Sequence, residues 1–202
     1  MIEFSRFRQT LLKEAILFDR RQAAVCELET RYFFDFGAGT MDLTVSPSEA
    51  PPVALLAAVP EVHLISGREV CAKEGRVAFG SRDFLVFREL ESLLAGKSCD
   101  VLIYASLAAN PQPGLPKVTW KAKYVRVHNA LPDGSPPKGV IRPLTAERNP
   151  RENKGWAVYW EVSDLEMLPK SEFIPISQLR GYSGKNYAKG FRPERPLIIQ
   201  AL

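Results

Sequence analysis

The sequence predicts an α+β fold: a small, partly open mixed β-barrel with flanking helices over residues 73–202, preceded by an α+β extension over residues 1–72. Three observations carry that expectation. Short β-rich runs at 100–106, 118–127, 156–162 and 196–201 succeed one another, parted by turns rich in proline and glycine. A helical apolar pattern stands just before them. The composition, 46% hydrophobic and 25% charged over 202 residues, is that of a globular chain able to bury a core without a disulfide or a metal.

Taken in order, Phe4, Phe7, Leu11, Leu12, Ala15, Ile16 and Phe18 recur at helical spacing behind Ser5, a good N-cap, so residues 5–20 read as an amphipathic helix. Two β-rich runs, 31–36 and 41–45, flank Gly37-Ala38-Gly39-Thr40 and read as a hairpin. Residues 46–60 hold four prolines around an apolar middle and read as a loop or short helix. Strands are expected at 62–65 and 68–72, on either side of Gly67. Ser81 then opens a second helix whose apolar set is Phe84, Leu85, Phe87, Leu90, Leu93 and Leu94, stopped by Gly96. Residues 100–106 (DVLIYAS) form a strand and 110–116 (NPQPGLP) break the chain. The run 118–127 alternates until Val125, where the phase slips and a bulge is expected. Beyond it come polar loops at 131–137 and 145–155, a strongly apolar strand at 156–162, a short strand at 174–179, a Gly/Tyr/Lys loop at 180–190 and a closing strand at 196–201.

Several chemistries are set aside. The longest uncharged apolar run, 51–60, is far short of the roughly 20 residues a membrane helix needs, and the charged N-terminus lacks a secretory h-region, so the expected compartment is the cytoplasm and no membrane partner is expected. Cys26, Cys71 and Cys99 are widely spaced, with only His63 and His128 to help, so they read as small buried thiols and neither metal nor cofactor is expected. Gly96-Lys97-Ser98 is not a phosphate loop, because position 91 is Glu and the segment ends a helix. His128 reads as a structural, hydrogen-bonded histidine, and the Glu161, Asp164 and Glu166 cluster as a solvated face. No catalytic set emerges.

Charge is unevenly divided. Residues 1–100 carry 12 basic against 15 acidic side chains, and residues 101–202 carry 15 against 8. The basic excess gathers at 117–126, 142–154 and 180–195, among aromatic residues. That pattern suits one face meeting a polyanion, with bases stacking on rings and Lys/Arg gripping phosphates. Tyr182 and Tyr187, in a Gly/Ser/Lys loop, are candidates for surface contacts.

Two resemblances sharpen these readings. DVLIYAS, VTWKAKYVRV, WAVYWEVSDLEMLP, FIPISQLRGY and a closing RPLII, over roughly 75–202, resemble the EVE branch of the PUA-like superfamily, which also includes YTH and ASCH domains. The resemblance implies a barrel with a pocket for a flipped, often modified, base. Tyr104, Ser106, Trp120 and Trp156 would be its walls, with Lys121, Lys123, Arg126, Arg142, Lys185, Lys189 and Arg192 on the phosphates of DNA or RNA. Replacing Lys121 and Lys123 is then expected to flatten the salt dependence of binding. Residues 35–42 (DFGAGTMD) resemble the phosphate hairpin of the actin and seventy-kilodalton heat-shock chaperone ATPases; Asp35 would take the metal role and Gly37, Gly39 and Thr40 the phosphate role of an ATP-binding remnant or subunit. A structural or protein-interaction domain, its partner meeting the N-terminal extension, is the third reading.

Overall fold

A computed structural model describes residues 52–109, 114–149 and 155–202. The expected helix at 5–20, the 31–45 hairpin with Asp35, Gly37, Gly39 and Thr40, and Cys26 lie outside the described residues. Within them the fold is α+β, built on a mixed six-stranded sheet.

Strand β1 (Val53–Pro60) is a continuous apolar run, VALLAAVP, where the proline content predicts a loop or short helix. It is buried on both faces because it lies inside the sheet, parallel to β3 (Asp100–Ser106) and antiparallel to β8 (Leu197–Gln200). Such a strand loses the alternation that a half-solvated strand shows. Its prolines stand only at the ends, where no ladder hydrogen bond is lost.

Helix α1 (Glu61–Glu74) replaces the two strands expected at 62–65 and 68–72. Its buried face includes His63, Ser66 and Gly67 beside Leu64 and Cys71, so the apolar period is blurred in the sequence. A β-carbon on Gly67 would stand 3.3 Å from the Phe79 ring, so the helix packs tightly on the sheet here. It ends at Gly75, in the left-handed conformation, whose N–H donates to the Cys71 carbonyl at 2.8 Å. The expected seam between residues 72 and 73 therefore falls inside a helix. Residues 53–72 share one sheet and one core with the strands and helices C-terminal to them.

Strand β2 (Val77–Ser81) leads into helix α2 (Phe84–Leu94), whose Phe87, Leu90 and Leu94 face the core. The N-cap residue is Asp83 in place of the expected Ser81, and no side chain caps the helix; Ser81 closes β2, and its Oγ accepts the Asp83 N–H at 3.1 Å. After β3 come β4 (Lys117–Val118) and β5 (Trp120–Asn129), with the expected bulge at Val125, since Tyr124 pairs with Val162 and Arg126 with Glu161. A short helix α3 (Leu144–Glu147) overlaps the start of the expected 145–155 loop. Strand β6 (Val158–Met167) runs five residues beyond the expected 162, because its later half still pairs with β5. Strand β7 (Ile174–Pro175) pairs with β4.

The sheet order is β2-β6-β5-β3-β1-β8. Its ends, β2 and β8, are not hydrogen-bonded to each other, so the expected barrel is not closed. The sheet nonetheless bends round. Four strand spacings separate β2 from β1, about 19 Å if flat, yet Val59 and Phe79 line one cavity and share one core. That first core takes Leu55, Val77, Val101, Trp120 and Trp160 on one face, closed by α1 and α2; a second, around Leu56, Leu102, Ile176 and Ile199, fills the other face of β1 and β3.

Candidate functional site

The bend leaves a cavity of about 420 Å³ where the C-terminal end of β1 comes across to β2. This is within the ~300–1,000 Å³ of ordinary small-molecule sites. Val59 and Pro60 from β1, His63 from the first turn of α1, and Phe79, Gly80 and Ser81 from β2 form one side. Arg82, Asp83, Arg142, Trp156, Trp160 and the segment at Glu194 and Pro196 form the rest.

Trp156 is the accessible ring of this site. Its indole lies on the backbone of Gly80, where a β-carbon would come within 2.7 Å of Cγ and Cδ2, and the Arg82 guanidinium sits 5.7 Å from its centroid. Two further contacts fix it. A β-carbon on Gly134, at φ +80, would collide with the backbone nitrogen of Gly155, so the chain reaches Trp156 only by passing a glycine. Next door, Ala157 donates to the Ser81 carbonyl at 2.9 Å and accepts from the Ala130 N–H at 3.0 Å. Trp160, by contrast, is sealed beneath the cavity between Phe79 and Phe87, at centroid distances of 5.2 and 5.9 Å.

Polar groups reach the interior from two directions. The His63 imidazole shares a 2.8 Å hydrogen bond through Nδ1 with the Thr145 hydroxyl, which anchors it to α3. Arg142 is only 3% exposed and stacks its guanidinium 5.2 Å above the Tyr159 ring. It is carried there by the preceding residue, whose carbonyl accepts the Ala78 N–H of the edge strand β2 at 2.7 Å. Tyr159 is itself pinned by donating to the Gly134 carbonyl at 2.8 Å. A buried guanidinium beside a stacking ring suits carbonyl and ring-nitrogen acceptors of a planar ligand.

The expected walls are only partly brought together. Of them Trp156 lines the cavity; Arg142, expected on the phosphates, is instead buried and lines it too. Ser106 stands next to it, paired in register with Pro60, while Tyr104 packs against the second core. Trp120 is a correction: at 1% exposure its ring is enclosed in the first core and offers no face for stacking. Sequence reasoning missed His63, Arg82 and the Glu194–Pro196 rim; the one local signal was an arginine directly after the β2 run.

Apart from Arg142, the expected phosphate contacts fall into two groups. On β5, Lys121 Nζ lies 3.1 Å from Glu166, Lys123 Nζ 2.6 Å from Asp100, and Arg126 Nε donates to Glu161 at 2.7 Å. Hydrogen bonding to Asp100 raises the Lys123 pKa. Glu161 is not on a solvated face: it is 0% exposed, and Arg76 and His128 approach it at 3.5 and 3.2 Å. Burial pushes its carboxyl up, but the hydrogen bonds from Arg126 and His128 outweigh that and hold it below the usual range. Tyr182, Lys185, Tyr187, Lys189 and Arg192 lie together in the loop before β8; Tyr187 stacks on Phe191 at 4.7 Å, and burial raises its pKa.

Cys71 and Cys99 are free and buried, and desolvation, with Asp100 adding, pushes the Cys99 thiol up to about 11, which makes it a poor nucleophile. Among the described residues no three His, Cys, Asp or Glu gather closely enough to hold a metal, and no helix is long and apolar enough to cross a membrane. No protein-family model matches the chain, and no curated protein matches it.

Proposed function

We propose that the chain is a non-catalytic nucleic-acid-binding module of PUA-like, EVE-type architecture that takes a base or modified base into the cavity at Trp156. The observation that carries the reading is the pairing of one accessible indole, held flat on Gly80, with the buried cation of Arg142 inside a 420 Å³ cavity. Stacking on such a ring is worth about 1–3 kcal/mol per base and accepts any planar heterocycle. The Arg142 guanidinium and the His63 imidazole supply the directional contacts that select among them. The bent, incompletely closed sheet and the strand order in the sequence agree with a partly open barrel.

The test is quenching of intrinsic tryptophan fluorescence by DNA and RNA oligonucleotides carrying plain and modified bases. Trp120 and Trp160 are sealed, so quenching reports on Trp156. Saturable quenching of the parent is expected, and the anisotropy of a labelled oligonucleotide, which needs no tryptophan, should show an affinity that Trp156→Phe keeps and Trp156→Ala lowers. Absence of binding to every DNA and RNA tried would end this reading.

A further inference from the structure

The two basic surfaces near the cavity differ in how their charge is held. Each cation of β5 has a carboxylate on a flanking strand or at its end: Lys121 with Glu166, Lys123 with Asp100 and Arg126 with Glu161. A phosphate approaching this stripe competes with pairs already made and finds little net charge.

Residues 180–195 are built the other way. Arg180, Lys185, Lys189, Arg192 and Arg195 are all exposed, and none forms an ion pair among the described residues. Glu194 is the one acid in the stretch. The backbone that carries these cations is fixed. Gly181 donates to the Lys185 carbonyl at 2.8 Å, Gln200 donates to the Arg180 carbonyl at 3.0 Å, and Gly181 bridges to Ile199 of β8. Tyr187 and Phe191 stack at 14° and pack on the second core, anchoring the loop from below. Cations on a preset frame lose less entropy when they bind than cations on a floppy tail. The loop then runs through Glu194 and Pro196, which are themselves walls of the cavity.

We propose that the phosphate backbone of the bound polynucleotide runs over residues 180–195, gripped by Lys185, Lys189 and Arg192 with Arg180 and Arg195 beside them, and not along β5. The proposal rests on the base-pocket reading. A base inserted at Trp156 has its own phosphates at the cavity mouth, and the wall formed by residues 194–196 hands them directly to the uncompensated loop.

The experiment measures affinity of the full chain for a labelled single-stranded oligonucleotide, as DNA and as RNA, across a potassium chloride series. Three lost phosphate contacts should make the slope of log K against log salt shallower by about 2–3. That is the result expected for Lys185→Ala/Lys189→Ala/Arg192→Ala, whose side chains are exposed and whose thermal midpoint should stay near the parent's. Lys121→Ala/Lys123→Ala should leave the slope unchanged. A loop variant with the parental slope, or a β5 variant that flattens it equally, overturns the proposal while Trp156-dependent binding keeps the pocket reading. Binding of the parent to phosphatidylserine vesicles but to neither oligonucleotide overturns both.

Discussion

The indole of Trp156 and the backbone of Gly80 are in direct contact: a β-carbon added at position 80 would lie 2.7 Å from two ring atoms. An edge strand thus carries a glycine because an aromatic ring from the start of another strand lies flat upon it. Gly80→Ala must lift the ring or bend β2. Overpacking of this kind costs about 1–3 kcal/mol. A lowered urea midpoint, a shifted tryptophan emission spectrum and weaker oligonucleotide binding are expected together. Unchanged emission and affinity would show that the ring position does not matter.

The two other tryptophans provide the contrast. Trp156→Ala removes a partly exposed ring, so the fold should survive while affinity falls by the stacking increment of about 1–3 kcal/mol, roughly 5- to 150-fold. Trp120→Ala removes a fully enclosed ring and should cost about 3–5 kcal/mol of stability. Denaturant melts and binding isotherms of both variants separate the roles. A Trp156→Ala chain that binds like the parent removes the stacking site.

Tyr124 ties β5 to α2 through a hydrogen bond in which its hydroxyl donates to Glu91 Oε1 at 2.6 Å. Burial and this carboxylate raise the phenol's pKa, so the donor stays protonated over the whole working range. A bond to a charged acceptor is worth about 1.5–3 kcal/mol. Tyr124→Phe keeps the ring and loses only the donor, and its urea midpoint should fall accordingly. A midpoint equal to the parent's would mean that water replaces the hydroxyl at no cost.

Much of the fold is legible in the sequence where local pattern and tertiary role agree. Strand β3 is a bounded apolar run, α2 has its apolar face in register, and the phase slip at Val125 marks the bulge that pairing with β6 requires. Legibility fails where the environment is two-sided or polar. Strand β1 is apolar throughout because both faces are covered, and α1 buries His63, Ser66 and Gly67, which imitate a broken pattern. The cavity is harder still to foresee. Its walls come from the ends of β1 and β2, the residues around Arg142 and Trp156, and the approach to β8, which only the bend of the sheet assembles. The cations of β5 look like a binding stripe in one dimension; their partners Asp100, Glu161 and Glu166 are revealed by strand pairing alone.

Glu161 links this electrostatic arrangement to pH. In the folded chain its carboxyl is buried, but Arg126 and His128 hydrogen-bond it and hold its pKa below the usual range; Arg76 also approaches it. The unfolded glutamate titrates near 4.3. Unfolding therefore takes up a proton in acid, and the stabilisation from this group is complete above that value and lost as pH falls through the folded pKa. Glu161→Gln removes the titration and leaves Arg126 facing a neutral amide, at a cost of about 1–3 kcal/mol near neutrality. Urea midpoints of parent and variant should differ most at pH 7 and draw together toward pH 3. A gap that stays constant with pH would show that Glu161 does not titrate differently in the two states, and that its pairing with Arg126 contributes through shape alone.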